Sequence, residues 1–114
     1  MWWWIIGCAQ GPRVADTPRR VAPICAPWDA VGLPLDGAAI VHCDERRLTV
    51  ELPAGSADAA GPGWRLAVRI AGWEEDVDTT APGLVNVRYR QGERILDLSL
   101  IDAADHTVAV VTTP

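Results

Sequence analysis

Four consecutive residues, His42-Cys43-Asp44-Glu45, gather side chains that bind metals or move protons. Successive side chains of a strand point to opposite faces, so His42 and Cys43 cannot readily grip one ion. Zinc sites rest on paired ligand spacing, and no C-x-x-C, H-x-x-x-H or H-E-x-x-H accompanies these four. No metal is expected here. Cys43 beside His42, or Cys25 with His106, would supply a nucleophile and a base, but no third residue is placed to orient either histidine. Glu74, Glu75, Asp76 and Asp78 offer the oxygen ligands that calcium needs, without the D-x-D-x-D-G spacing of a binding loop. They read as a solvated acidic loop. Two carboxylates for glycoside hydrolysis can always be found among 15 acids, and no pair stands out. A Gly-rich phosphate loop is also missing from the sequence. The reading is a non-catalytic protein without a cofactor, a small hydrolase-type enzyme being the last of the alternatives.

Recognition can also rest on aromatic surface. Trp64 falls in register with apolar neighbours and is expected in the core. Trp28 and Trp73 flank loops, where an exposed indole could stack on a sugar or anchor a partner. With Tyr89 they are the candidate ligand- or partner-binding residues, and core packing is the alternative for each.

The chain opens "MWWWIIGCAQ". Trp2 to Ile6 is apolar at every position, so a strand there would need cover on both faces. It is far short of the ~20 apolar residues that cross a bilayer as a helix. Ile5-Ile6-Gly7-Cys8 resembles the lipobox of bacterial lipoproteins, in which a branched apolar residue, a tolerated residue and a small residue precede a cysteine. The resemblance implies cleavage before Cys8, diacylglycerol on its thiol and acylation of the new amino group. Two or more acyl chains give stable anchoring where one gives only marginal binding. Residues 1–7 would then be the remnant of a truncated signal peptide. They lack the basic start and the 7–15-residue apolar region of a complete one. Ala9 rather than Asp beside Cys8 favours, by the same resemblance, the periplasmic face of the outer membrane. The ten basic residues are all Arg, and with abundant Ala, Gly and Pro this fits a GC-rich bacterial gene.

Residues 8–23 follow as a flexible, disordered linker, with Pro12, Pro18 and Pro23 and little apolar content. Extended, such a stretch spans up to ~50 Å. Residues 9–23 carry Arg13, Arg19 and Arg20 against Asp16, whereas residues 24–114 hold seven Arg against fourteen acids. A weakly basic neck on an acidic body suits a tether near anionic lipid. The net charge of −5 argues against nucleic acid, whose binding is driven by phosphate neutralisation. Three cysteines are odd in number, but with Cys8 lipidated Cys25 and Cys43 remain as a pair for the oxidising compartment of an exported protein. Their loop holds Pro27, Gly32, Pro34 and Gly37, so it is irregular and gains from being pinned, by about 3 kcal/mol in the chain-entropy model. Two buried free thiols are the alternative.

From residue 38 onward the dominant period is two, the mark of half-buried strands. "RLTVEL" sends Leu48, Val50 and Leu52 one way. "WRLAVRIA" sends Trp64, Leu66, Val68 and Ile70 inward, with Arg65 and Arg69 outward. "LVNVRYR" and "RILDLSLI" alternate likewise, with Gln91-Gly92-Glu93 as the hairpin turn between them. Asp102 to Asp105 turns the chain into "HTVAVVTT". With "AAIVHC" this gives six strands, and "PAGSADAAGPG" and "GWEEDVDTTAPG" are long loops. Only a short helix could hide in 26–33 or 56–61. The predicted class is all-β, a small antiparallel sandwich or barrel of about six strands, forming one domain over 24–114.

In general form this looks like the small two-cysteine β-barrel lipoproteins that inhibit lysozyme. The likeness covers the anchor, "IVHC" at a strand end and "ERRLTVEL"; the Ser/Gly/Arg/Tyr-containing motif of those inhibitors is missing from this sequence. The expected role is binding, to an envelope protein or cell-wall material, with the acyl anchor in the bilayer. The alternative is a structural or accessory subunit of a larger envelope assembly, in which "VAVVTTP" as an exposed terminal strand pairs at its edge.

Overall fold

The computed structural model describes residues 23–53 and 56–114. Cys8 and the linker up to residue 22 lie outside the described residues. Six strands form one antiparallel sheet: β1 (Ala39–Cys43), β2 (Arg47–Leu52), β3 (Glu74–Asp78), β4 (Leu84–Gln91), β5 (Arg94–Asp102) and β6 (Thr107–Thr112). Their order across the sheet is β1-β2-β6-β5-β4-β3. The mostly β, antiparallel class follows the sequence pattern.

Alternation decides which face is buried. Leu48, Val50 and Leu52 of β2, Val85, Val87 and Tyr89 of β4, and Leu96, Leu98 and Leu100 of β5 lie in one core with Ala109 and Val111 of β6. The β4–β5 register aligns Val87 with Leu98 and Tyr89 with Leu96, so the apolar columns run straight across the sheet. Gly92 at φ +66° makes the tight turn between these strands, a conformation in which a side chain would be strained.

A single sheet cannot bury this face alone, and its cover is not a second sheet. Helix α1 (Ala57–Ile70) packs across β4 and β5. Trp28, in a short 3₁₀ turn over Trp28–Ala30, and Leu33 join the same core. The Cys25–Cys43 disulfide ties this amino-terminal segment to the end of β1, with Cα atoms 6.0 Å apart.

Two segments differ from the period-two reading. "WRLAVRIA" is the second half of α1 rather than a strand, and the helix begins inside the expected Gly/Pro loop. Ser56 caps it, accepting from Ala59 N at 3.1 Å, and Asp102 Oδ1 of β5 accepts from Ala57 N at 2.6 Å. Gly61-Pro62-Gly63 opposes helix formation by ~1 kcal/mol per glycine and ~3 for the proline. Burial of Trp64 and Val68, worth about 1.5–3 kcal/mol each, offsets this, and tertiary packing overrides propensity. The other segment is "EEDVD", read as a loop, which forms edge strand β3 on β4. Every residue of β3 is exposed, so no apolar alternation marks it. The carboxy-terminal strand is likewise not an edge: β6 lies between β2 and β5, which removes the expected edge-pairing site.

Gly61 is the point of closest approach between helix and sheet. A Cβ there would lie 2.9 Å from Val85 Cγ2, and a β-branched side chain has little freedom to yield. Gly61→Ala is therefore expected to destabilise the domain by about 1 kcal/mol net, overpacking outweighing the helix-propensity gain. In a Val85→Ala background the same change should become stabilising. Urea unfolding of the four proteins checks the reversal of sign.

Candidate interaction surface

The polar groups singled out by the sequence are mostly engaged in holding the fold. Both Cys25 and Cys43 are in the disulfide, so neither is a nucleophile beside His42 or His106. His42 Nε2 lies 2.7 Å from Asp44 Oδ2, and the other Asp44 oxygen accepts from Arg46 N and Arg47 N at 2.8 Å each. Those backbone donors, with His42, hold the Asp44 carboxyl at about 2. Asp44 is thus the organiser of the β1–β2 turn, and its carbonyl accepts from the Trp28 indole at 2.6 Å. His106 Nδ1 pairs with Asp105 at 2.6 Å in the β5–β6 turn. Among the described residues no three of His, Cys, Asp and Glu come together as metal ligands.

The acidic run of β3 faces arginines. Arg65 of α1 donates to both oxygens of Glu75, at 2.8 and 3.1 Å, and to Asp78 at 3.1 Å. Arg90 reaches Asp76 at 2.7 Å. The Arg65 hydrogen bonds hold Glu75 below the usual carboxylate range, while Glu75 raises the Arg65 guanidinium in turn. Charges that would have served calcium instead fasten an exposed edge strand to the helix.

The three aromatic candidates lie in the core. Trp28 and Trp73 are buried, and Arg94 sits over the Trp73 ring, 5.0 Å from its centroid. Tyr89 is fully buried with its hydroxyl 3.4 Å from Glu75. An exposed stacking patch is not built from these residues.

What the structure exposes instead lies on α1. Ala57, Gly61, Trp64 and Val68 are buried, at spacings of four, three and four that mark one helical face. Ala59, Gly63, Leu66 and Ile70 repeat the same spacing two residues later and are all exposed, as is Pro62 beside them. Leu66 is 47% exposed and Ile70 75%. Arg65 and Arg69 form a polar stripe toward β3, and Asp58 accepts from Gly83 N just ahead of β4. The helix is therefore apolar on two faces, and the second stays largely exposed, with Pro34 beside its Gly63. Beside its Ala59–Gly63 half opens a cleft of about 380 Å³, walled by Pro34, Pro53 and Ala60, with Leu52 and Trp64 beneath.

The period-two reading hides this second stripe, because it sends Leu66 and Ile70 inward on a strand. Two 4-3-4 stripes offset by two residues make Trp64, Leu66, Val68 and Ile70 look like strict alternation. The signal lay in extending each series back to Ala57 and Ala59.

No protein-family model, curated protein or solved structure matches this chain.

Tyr89, the one tyrosine, reports on the joint between sheet and helix. Burial first, and the Glu75 charge second, push its phenol up to about 12. A raised acid favours the neutral form in the fold, so its contribution is complete below the ordinary phenol range and is lost as pH rises toward 12. Phenolate absorbance is expected to appear near 12 in the folded protein and about two units lower in urea. Glu75→Gln should lower the folded midpoint, and coincident folded and urea titrations would contradict the buried placement.

Proposed function

We propose that the protein is a non-catalytic binding domain displayed on a lipid anchor in the bacterial cell envelope. Cys8 takes the acyl chains, residues 8–23 form the tether, and the domain over 24–114 presents a surface to a partner at the periplasmic face of the outer membrane. The observation that carries this reading is the Cys25–Cys43 bond. Structural disulfides belong to oxidising compartments. Two of the three cysteines are thereby paired, and the third is the cysteine of Ile5-Ile6-Gly7-Cys8.

Binding is favoured over catalysis by how the side chains are used. His42 in β1 and His106 in the β5–β6 turn each sit beside an aspartate, and most acids of β3 are matched by arginines. Among the described residues, the Leu66–Ile70 stripe and the cleft beside it have no structural task, and they form a contiguous apolar surface of the kind that meets partners. That surface suits an envelope protein better than cell-wall glycan, since Trp28, Trp73 and Tyr89 are buried away from any sugar. It equally suits a subunit of a larger envelope assembly, which native sizing of membrane extracts would reveal.

Intact mass of the protein from its own host tests the anchor. Loss of residues 1–7, added acyl mass and a deficit of two hydrogens are expected. Cys8→Ala should move the protein from the membrane to the soluble fraction. A cytoplasmic product that retains residues 1–7 and three alkylatable thiols would overturn the reading.

A further inference from the structure

We propose that the second apolar stripe of α1 is a self-complementary interface through which two copies of this chain pair, helix against antiparallel helix. This deepens the interaction role proposed above and is independent of the lipid anchor. The stripe has polarity of size: Ala59 and Gly63, small and beside the cleft, occupy its first half, and Leu66 and Ile70, large and exposed, occupy its second. Turning a second helix antiparallel sets Ile70 of one copy over Ala59 of the other. The same operation sets Leu66 over Gly63, because both pairs are centred between Trp64 and Arg65. Each large residue thus meets a small one, four times over for the two copies.

Such matching is what a two-fold interface requires, since one patch must complement itself. Small residues allow helices to approach closely, and the cleft walled by Pro34 and Pro53 gives Ile70 of the partner room to enter. The stripe runs about 16 Å from Ala59 to Ile70. The helix dipoles also oppose one another favourably.

A contact of one helix pair is small against the ~1,600 Å² of a standard interface, so micromolar association is expected. Copies crowded on one membrane would pair more fully, because tethering raises their effective concentration.

Sedimentation equilibrium of the full chain carrying Cys8→Ser, with the disulfide intact, tests this. A reversible dimer is expected. Ile70→Arg should weaken it at least ~10-fold without altering circular dichroism or thermal unfolding, since the side chain is exposed. Adding Ala59→Glu to Ile70→Arg should restore the dimer, because the new carboxylate of one copy faces the new guanidinium of the other. A chain that stays monomeric through the high micromolar range overturns the proposal. So does association that survives Ile70→Arg, as it would if the amino-terminal tryptophans drove it or covered the stripe. A double variant as monomeric as Ile70→Arg alone overturns the antiparallel register. None of these outcomes alters the mass or fractionation results that test the anchor.

Discussion

The architecture turns on how closely one helix can approach one sheet. Six strands present a continuous apolar face through β2, β6, β5 and β4, and that face must be removed from water. Fourteen residues of α1 do much of this, and they succeed because Gly61 lets the helix backbone settle against Val85. The same Gly-Pro-Gly run that weakens the helix locally is what seats it. Trp64 and Val68 can then fill the space between layers, and Asp102 of β5 reaches the first turn of α1 to accept from Ala57 N.

From that seat the placement of the remaining groups follows. Once α1 lies over β4 and β5, Arg65 points toward the β3 edge and fastens Glu75 and Asp78. A strand with five exposed residues gains little from burial, so ion pairs and the ladder to β4 hold it. Each exposed pair contributes modestly, but several in one network act together. The β1 side of the sheet is closed differently. There the disulfide and the Trp28 indole fix the amino-terminal segment against the β1–β2 hairpin.

Much of this was legible in the residues. Strands β1, β2, β4, β5 and β6, the Gln91–Arg94 hairpin and the Cys25–Cys43 pair follow from alternation, turn chemistry and cysteine count. The helix was not, for a physical reason. Period two and period 3.6 become indistinguishable over eight residues when a helix carries apolar residues on opposite faces, and the glycines and proline ahead of Trp64 hide its start. Edge strand β3 escaped because a strand exposed on both faces carries no apolar periodicity. Trp28 and Trp73 stand out in the sequence because they flank loops, whereas the core claims large rings wherever the backbone lets them reach it. The exposed stripe of α1 is hidden by the same alternation that hides the helix. Local sequence rules tend to fail where a surface serves something other than folding.

Among the described residues two surfaces remain uncovered, and they differ in kind. The outer face of the sheet exposes Val77 and Ile101, which lie on separate strands, β3 and β5, and Val41 protrudes near a bulge on β1. Between them Arg88 pairs with Asp97 at 2.8 Å, and Asn86 bonds both Ser99 and Thr79. An antiparallel sheet tolerates such a face in water, where Ile101 has Leu84 and Val108 as its cross-strand neighbours. On α1, by contrast, Leu66 and Ile70 lie one turn apart, continuous with Ala59, Pro62 and Gly63 and with the cleft walls. No polar residue interrupts the stripe, although Arg65 and Arg69 lie close by on the helix and turn instead toward β3. The chain therefore keeps its charges where they hold an edge strand and leaves apolar surface where the fold gains nothing from it. An exposed isoleucine beside a notch of alanine and glycine is stabilising only when something fills the notch, and the shape that fits it recurs on the same helix half a stripe away.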